Sequence, residues 1–224
     1  MSAARNVTSK RIFITGGTGY IGSRLIPLLA GQGHEVSALV RRGSESKLPP
    51  GAVPIIGDAL KLDSYTEQVR GADTFVHLIG VAHPSPRKAA EFRAIDLVSI
   101  QVAVRAARDA CIRHFVYLSV AQPASMMKDY QAVRAEGESL IRASGMAATF
   151  VRPWYVLGPG HRWPHLLQPL YWICERLPAT REGAMRLGLV TLPQMLATLV
   201  WAVANPPNET QVLDVPRIRQ IGKG

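Results

Sequence analysis

The amino-acid sequence predicts an α/β fold in which helices cover both faces of a doubly wound parallel sheet. Short apolar segments rich in β-forming residues alternate with longer segments of helical spacing from residue 11 to residue 152. A glycine-rich turn joins the first apolar segment to the first helical one. Because alternating strands and helices bury a parallel sheet on both faces, this order indicates right-handed strand-helix-strand crossovers.

Six apolar segments are predicted to form buried strands, and four segments of helical spacing are predicted to form the helices between them. The strands cover residues 11–15, 35–40, 53–57, 73–79, 114–119 and 148–152. The helices cover residues 20–30, 62–70, 88–110 and 129–143. In the third helix, the residues predicted on or near the buried face are Phe92, Ile95, Ile100, Val104 and Ala107.

The pattern changes after Arg152. Prolines interrupt it, all 4 tryptophans lie beyond this point, and a last strand is predicted over residues 211–215. The stretch 187–204 is uncharged and long enough to span a bilayer. Pro193 and Gln194 lie within it, so we predict a short strand, a turn and a buried helix there, and no membrane span.

The composition is that of a folded domain. The chain has 224 residues, of which 47% are hydrophobic and 19% are charged, and this excludes a disordered or fibrous protein. The net charge is +10, but the basic residues are scattered, so we expect no nucleic-acid partner. The first residues lack the apolar run of a signal peptide, and Cys111 and Cys174 lie in apolar surroundings. We therefore expect a cytoplasmic protein with buried thiols.

A glycine-rich loop joins the first predicted strand to the first helix. It reads Gly16-Gly17-Thr18-Gly19-Tyr20-Ile21-Gly22. Without a Cβ atom, Gly16 can make a tight turn, Gly19 lets the backbone approach a pyrophosphate, and Gly22 lets the helix pack closely on the strand. The amino end of the following helix also favours negative charge. Between a strand and a helix, such a loop predicts a dinucleotide site.

With this loop in place, the chain resembles the short-chain dehydrogenase/reductase superfamily, whose members bind NAD(P) on a Rossmann-type sheet. Three further stretches support the resemblance: Gly57-Asp58, the strand that ends in Ser119, and Arg152-Pro153 with Gly158-Pro159-Gly160. Among the branches, the chain looks most like the atypical group related to a subunit of complex I. The resemblance implies that the cofactor also passes Asp58, Ala59, Ile79, Gly80 and Pro153.

The resemblance divides the chain into two parts. Residues 1–152 are expected to form the dinucleotide-binding Rossmann core, and residues 153–224 a substrate-side appendage that completes the same single domain. The appendage is too short for a core of its own. It is also smaller than the substrate lobe of the family's epimerases and dehydratases, so we do not expect those activities.

Arg41 and Arg42 end the second predicted strand, where an acidic residue would bind the ribose 2′-hydroxyl of NAD. Two guanidinium groups can instead hold a 2′-phosphate. We therefore predict NADP(H) as the cofactor in preference to NAD(H), with a solvated strand end as the alternative. Asp58 has an alternative role as well, because an aspartate after a strand often caps the next turn.

Tyr130 and Arg134 are the candidate catalytic pair, because residues i and i+4 share one face of a helix. In the family that the chain resembles, a tyrosine exchanges a proton with the substrate oxygen, and a serine, here Ser119, positions the carbonyl. A lysine four residues after the tyrosine assists it and holds the nicotinamide ribose. Arginine stands in its place here; it keeps the charge but cannot relay a proton as lysine does. The alternatives are that the Tyr130 ring packs against the sheet and that Arg134 pairs only with Glu138.

Large apolar residues follow the sixth predicted strand, where this fold places its substrate. They are Trp154, Tyr155, Trp163, Leu166, Leu167, Tyr171 and Trp172. They predict an apolar or aromatic carbonyl, enone or quinone substrate, unless they complete a small core or a dimer interface. His161 and His165 lack a carboxylate nearby, and His77 and His83 are expected to be structural, so we assign no metal.

Two functions stay open at this point. The first is an NADP(H)-dependent oxidoreductase that acts on a small molecule, as a monomer or a homodimer. The second is an NAD(P)-binding redox sensor, assembly or regulatory protein without turnover. The pair of Ser119 and Tyr130 favours the first function, and the exchange of lysine for Arg134 favours the second.

Overall fold

The computed structural model describes residues 9–159, 182–183 and 185–223. The strands are β1 (Arg11–Thr15), β2 (Glu35–Val40), β3 (Ala52–Ile56), β4 (Thr74–His77), β5 (His114–Leu118), β6 (Ala147–Val151), β7 (Tyr155–Leu157), β8 (Leu189–Thr191) and β9 (Thr210–Leu213). Seven of them form one parallel sheet in the order β3-β2-β1-β4-β5-β6-β9, and β7 pairs with β8. The predicted doubly wound, Rossmann-type parallel sheet is confirmed.

Helices lie between the strands and after β9. They are α1 (Gly22–Gly31), α2 (Thr66–Val69), α3 (Ala89–Glu91), α4 (Val98–Asp109), α5 (Lys128–Ala143), α6 (Leu192–Ala204) and α7 (Val215–Ile221). A π-helical segment, Phe92–Leu97, joins α3 to α4, and short 3₁₀ turns lie at Glu45–Lys47, Leu62–Ser64 and Pro86–Lys88. The stretch 187–204 contains β8 and α6, the predicted strand and helix, but α6 begins directly after β8, with no turn between them. Among the residues described, we find no helix with the length and apolar character needed to cross a membrane.

Side chains alternate between the two faces of the sheet, and the two faces differ in chemistry. One face is aliphatic and packs against α1, α6 and α7; its strand residues include Ile12, Ile14, Val76, Val116 and Val151. The other face is aromatic and packs against α2, α4 and α5; its strand residues include Phe13, Phe75, Phe115, Tyr117 and Phe150. Adjacent strands in register place Phe13, Phe75 and Phe115 side by side, with ring centroids 5.3 and 5.0 Å apart. This ladder fixes the sheet against the helices that carry the candidate site.

Two burial predictions away from the candidate site are wrong, one for a strand and one for a cysteine. β3 is an edge strand, in which Val53 is 61% exposed, and Pro54, which has no N–H to donate, suits an unpaired edge. Cys111 is exposed because it follows the end of α4 with a left-handed φ of 56°, and Ile112 turns into the core instead. Cys174 lies outside the described residues.

The last strand joins the main sheet. β9 pairs with β6 in parallel, with Phe150 opposite Val212 and Val151 opposite Leu213. Residues after 152 therefore contribute a strand to the sheet that contains β1, the strand before the glycine loop. The division of the chain at residue 152 stays a prediction.

Candidate active site

The loops that follow the strands meet at the carboxyl-end edge of the sheet, and those after β1 and β4 touch. Gly16 has a φ of +83°, and a Cβ atom there would lie 2.9 Å from the Leu78 carbonyl carbon and 3.1 Å from Ile79 N. Any other residue at this position would push the β4 loop away. The strand order reverses between β1 and β4, and ligands of doubly wound sheets bind in the crevice at such a reversal.

The other glycines of the loop have distinct roles. A Cβ atom on Gly22 would lie 2.3 Å from Gly16 O, so only glycine lets α1 begin against the loop. Gly17 is buried, and a Cβ atom there would lie 3.0 Å from Ile26 Cδ1. Gly19 and its neighbour Thr18 are exposed, and a Cβ atom on Gly19 would approach only Gly16 O, at 3.2 Å. This part of the loop is therefore open to a ligand.

The start of α1 can receive an anion. Ile21 precedes the helix, and no side chain of the described residues caps its first N–H groups. The first turn also contains no acidic residue. The N–H groups of Ser23 and Arg24 in the first turn already donate to Gly19 O and Ile21 O, at 2.9 and 3.1 Å. The amino end of a helix still carries partial positive charge, and this favours a phosphate group beside it.

Tyr20 connects the glycine loop to the stretch after β7. The Arg24 guanidinium carbon lies 4.5 Å from the Tyr20 ring centroid, and Arg24 Nη1 donates to Tyr20 O at 2.7 Å. On the other side, a Cβ atom on Gly158 would lie 2.2 Å from the Tyr20 hydroxyl oxygen. The absence of a side chain at Gly158 therefore leaves room for the Tyr20 hydroxyl beside it.

Arg41 and Arg42 are exposed at the carboxyl end of β2, the strand next to β1. The chain turns here, with Ser44 N–H donating to Arg41 O at 2.9 Å. Their position agrees with that of a 2′-phosphate clamp. Their binding role stays a prediction.

Asp58 caps the turn after β3. Its Oδ1 accepts a hydrogen bond from Leu60 N–H at 3.0 Å, and its own N–H donates to Ser64 Oγ at 3.0 Å. This is the alternative role stated from the sequence. Contact between the cofactor and Asp58 or the half-buried Ala59 stays a prediction.

Arg134 is 3% exposed and is held from several sides. Its Nη2 donates to Asp96 Oδ1 at 2.6 Å, and its Nη1 donates to Leu118 O at 3.0 Å. Gly80, itself exposed, closes over the guanidinium, since a Cβ atom there would lie 2.3 Å from Nη2. The alternative that Arg134 pairs only with Glu138 is wrong, because its carboxylate partner is Asp96.

Asp96 is a residue that sequence analysis missed. It is 1% exposed and accepts a hydrogen bond from Val81 N–H at 3.1 Å in addition to that from Arg134. Ile95, which was predicted on or near the buried face, is 37% exposed instead. A charged residue in an amphipathic helix normally marks the solvent face. The available signal was the four-residue spacing that runs from Phe92 through Asp96 to Ile100.

Tyr130 is half-buried in the first turn of α5. Its ring centroid lies 5.1 Å from the Arg134 guanidinium carbon and 5.0 Å from the Phe92 ring centroid. The ring therefore packs on the π-helical segment, whereas the alternative placed it against the sheet. The structure brings Tyr130 and Arg134 together, as the i, i+4 spacing predicted.

Ser119 is not free to act as a donor. Its hydroxyl donates to Glu138 Oε1 at 2.6 Å, and Arg152 Nε donates to the same oxygen at 2.8 Å. Since a hydroxyl has one hydrogen, Ser119 cannot donate to a substrate carbonyl while this bond lasts. Pro153 lies nearby and is buried, with its carbonyl accepting from Ala121 N–H at 2.9 Å. The roles of Ser119 in catalysis and of Pro153 in cofactor binding stay predictions.

His77 is a buried, neutral residue of β4. Its Nδ1 lies 2.8 Å from Thr15 Oγ1 and its Nε2 3.4 Å from Ser99 Oγ, and burial, assisted by the nearby Arg134, lowers its pKa from 6.5 to about 3. His114 is also buried, and burial, with Lys10, lowers its pKa to about 4. Both imidazoles therefore stay unprotonated in the folded protein at neutral pH.

These histidines predict a loss of stability in mild acid. Below pH 6.5, His77 becomes protonated in the unfolded chain, whereas in the folded protein it stays neutral down to about pH 3. The free energy of unfolding should therefore fall as the pH drops from 6.5 to 5, by about 1 kcal/mol per pH unit from this residue. Urea unfolding at several pH values measures it, and His77→Gln should flatten the slope. An unchanged slope in that variant would contradict the assignment.

Several predicted residues lie outside the described residues, namely His161, His165, Trp163, Leu166, Leu167, Tyr171 and Trp172. Trp154 and Tyr155 are described; both are half-buried, and their rings make an edge contact with centroids 5.8 Å apart. In the described ranges, no group of three or more His, Cys, Asp or Glu residues could hold a metal ion.

Comparison with known proteins places the chain in a family. A model of the NAD(P)H-binding family matches residues 16–161. A 4-hydroxy-2-methyl-3-oxo-4-farnesyl-3,4-dihydroquinoline-1-oxide ketoreductase of Stigmatella aurantiaca is 29% identical over 170 residues, which cover 66% of this chain and 51% of that protein. A ceramide reductase of Caulobacter vibrioides is 29% identical over 151 residues, which cover 66% and 47%. The chain thus spans about half the length of these curated relatives.

Solved structures share the fold. The Bordetella bronchiseptica enzyme WbmH in complex with NAD+ is 21% identical and has a TM-score of 0.68, with 96% of this chain and 80% of that chain covered. The dTDP-glucose 4,6-dehydratase DesIV of Streptomyces venezuelae is 20% identical and has a TM-score of 0.67, with 95% and 79% covered. The family model spans most of the chain and begins at the first glycine of the loop that touches the β4 segment. The chain therefore belongs to the NAD(P)H-binding family, within the short-chain dehydrogenase/reductase superfamily.

Proposed function

We propose that the chain is an NADP(H)-dependent oxidoreductase that transfers a hydride between the nicotinamide and an apolar carbonyl, enone or quinone. The observation that carries this proposal is the contact of Gly80 with Arg134, where a Cβ atom would lie 2.3 Å from Nη2. In the family, the cofactor passes along this loop. The contact puts Arg134 directly behind that loop, and Tyr130 packs on Arg134. This supports Tyr130 as a proton donor near the nicotinamide.

The residues present fit a dinucleotide. The open face at Thr18 and Gly19 and the uncapped start of α1 would take the pyrophosphate, and Arg41 and Arg42 would take a 2′-phosphate. Ile79 and Gly80 would lie along the nicotinamide half. Bound NADPH would supply the hydride. The side chains of this site would supply the proton and stabilise the negative charge that its transfer leaves behind.

Tyr130 is the proton donor in this proposal. In carbonyl reduction, the carbon gains the hydride and the oxygen gains the hydroxyl proton of Tyr130, so that an alcohol forms and the tyrosine is left as a phenolate. Arg134, whose guanidinium carbon lies 5.1 Å from the ring centroid, stabilises that negative charge. Water returns the proton, because Tyr130 is partly exposed and the arginine does not exchange its own proton.

An apolar substrate is supported by the relatives and by the surface near Tyr130. The two curated relatives are named for a farnesyl dihydroquinoline oxide and for ceramide, and both molecules carry long apolar groups. In this chain, Met126 lies in the loop before α5, four residues before Tyr130, and is 61% exposed. Ile95, on the segment that holds Phe92, is 37% exposed. These exposed apolar side chains support an apolar substrate.

The proposal is tested by NADPH oxidation against a panel of quinones, enones, aldehydes and long-chain ketones, with and without the protein. Turnover of an apolar carbonyl that Tyr130→Phe lacks supports it. Tight NADPH binding with no turnover of any compound would overturn it. Preferential turnover of nucleotide sugars would overturn the apolar substrate class alone.

The choice of cofactor gives a separate prediction. Replacing both Arg41 and Arg42 by alanine should raise the Kd for NADPH about 10-fold to 100-fold, because charge-assisted bonds to a phosphate contribute about 1.5–3 kcal/mol. The Kd for NADH should change less than about twofold, since NADH has no 2′-phosphate. Fluorescence titration with both cofactors measures this. Equal losses for the two, or tighter NADH binding by the unmodified protein, would contradict NADP(H) preference.

A second candidate function is cofactor binding without turnover. The observation that favours it is the bond from Ser119 to Glu138, which engages the hydrogen that the family's serine offers to its substrate. In that case, the protein would act as a sensor or a regulatory subunit. The same panel separates the two functions, since only the oxidoreductase consumes NADPH.

A further inference from the structure

The π-helical segment Phe92–Leu97 makes paired contacts with the candidate catalytic pair. Phe92 packs on the Tyr130 ring, with centroids 5.0 Å apart, and Asp96 binds Arg134 at 2.6 Å. Phe92 and Asp96 are four residues apart, as are Tyr130 and Arg134. Phe92 therefore meets Tyr130 while Asp96 meets Arg134. π-helical turns are uncommon and occur frequently at functional sites, where they aim a side chain that a regular helix would not.

We infer that Asp96 is a positioning residue, which fixes Arg134 behind the Gly80 loop and so fixes the charge beneath the Tyr130 ring. This inference rests on the proposed function. The same carboxylate also accepts Val81 N–H at 3.1 Å. Asp96 therefore ties together two parts of the site: the guanidinium, and the loop after β4 along which the family's cofactor passes.

The arginine needs such a partner because it is buried. Its side chain is 4% exposed and that of Asp96 is 0% exposed. Its Nη1 is held by Leu118 O, and its Nε has no hydrogen-bond partner among the described residues, so Asp96 carries the only negative charge bonded to it there. A buried cation without a carboxylate is strongly unfavourable, and it would turn away from the Tyr130 ring to reach water. Asp96 thus compensates the charge of a buried arginine at the position where the family has lysine.

A purely structural ion pair would have different consequences. Such a pair would stabilise the fold, and its loss would lower the melting temperature without changing cofactor affinity or turnover in the protein that stays folded. Loss of a positioning residue changes both cofactor affinity and turnover, and it does so only when Arg134 is present. A double-mutant cycle on Asp96 and Arg134 separates these roles.

The experiment compares four proteins: the unmodified chain, Asp96→Asn, Arg134→Gln and the double variant. NADPH affinity is measured by fluorescence, turnover by the carbonyl panel, and the melting temperature sets an assay temperature at which all are folded. Asp73→Asn is the matched control. Asp73 also accepts a backbone N–H, that of Arg11 at 2.9 Å, and pairs with an arginine, Arg113, but it lies at the opposite edge of the sheet.

Asp96→Asn should lower kcat about 30-fold to 100-fold and raise the Kd for NADPH about fivefold, while the KM for the carbonyl changes less than threefold. In the Arg134→Gln background, the same substitution should change each value less than about twofold. Asp73→Asn should match the unmodified chain in kcat and Kd. Wild-type kcat and Kd in Asp96→Asn, or equal losses in the two backgrounds, would overturn the inference.

Failure of the proposed function is distinguishable. If the unmodified chain reduces no compound, that function fails, and the cycle in NADPH affinity alone decides the role of Asp96. If Asp96→Asn does not fold, Arg134→Gln is compared with the double variant, which leaves no unpaired buried charge. Equal Kd and kcat in these two proteins support the inference, and a further tenfold loss in the double variant overturns it.

Discussion

Replacing Tyr130 by phenylalanine is expected to lower kcat for carbonyl reduction about 10²-fold to 10⁴-fold, the range that general acid catalysis contributes. The substitution removes only the hydroxyl. The ring can keep its contacts with Phe92 and with the Arg134 guanidinium, 5.0 and 5.1 Å away. The Kd for NADPH and the melting temperature should therefore stay close to those of the unmodified chain. Steady-state kinetics and fluorescence titration on the same preparation measure the three quantities.

Two companion variants sharpen this prediction. Tyr65→Phe removes a hydroxyl that is buried in the aromatic core and has no hydrogen-bond partner among the described residues, so it should leave kcat unchanged. Ser119→Ala should lower kcat less than about tenfold, because Ser119 donates to Glu138 and not to the substrate. A Tyr130→Phe variant with the turnover of the unmodified chain would remove this residue from the mechanism. If Ser119→Ala lowers kcat as much as Tyr130→Phe does, Ser119 takes part in the mechanism.

Gly22→Ala is expected to abolish tight cofactor binding, with the Kd for NADPH raised about 100-fold or more. The new methyl carbon would lie 2.3 Å from Gly16 O and 2.8 Å from Gly17 Cα, both backbone atoms that cannot rotate away. The start of α1 or the loop must therefore move, and the phosphate site moves with it. The free energy of unfolding should also fall, by about 1–3 kcal/mol, as in other overpacked sites. Titration with NADPH and urea unfolding measure the two effects.

Gly31→Ala is the matched control in the same helix. A Cβ atom at Gly31 would meet nothing within 4 Å. Because alanine has the higher helix propensity, this variant should keep the NADPH affinity and gain up to about 1 kcal/mol of stability. Unimpaired NADPH binding in Gly22→Ala would contradict the role given to the glycine loop.

The elements with strong local signals could be predicted from the sequence. Short runs of apolar β-forming residues identify the strands because a strand covered on both faces of a parallel sheet needs apolar side chains at successive positions. The glycine loop identifies the β1 crevice because its conformation needs positions without a Cβ atom. The spacing of Tyr130 and Arg134 places them on one face because a helix repeats every 3.6 residues. Each of these signals depends on residues close together in the chain.

The partners of buried charges could not be predicted in the same way. Asp96 and Arg134 are 38 residues apart, and their contact depends on how the π-helical segment packs on α5. The bond from Ser119 to Glu138 likewise depends on how β5 meets α5. In both cases, several acids and bases along the chain were possible partners.

The sequence by itself therefore determined the Rossmann-type sheet, the glycine loop and the face shared by Tyr130 and Arg134, because periodicity and backbone sterics act locally. Only the tertiary structure decided that Arg134 pairs with Asp96 and that the hydrogen of Ser119 goes to Glu138. Buried polar groups must find partners wherever packing brings elements together, and the choice among them is a matter of distance and desolvation in three dimensions.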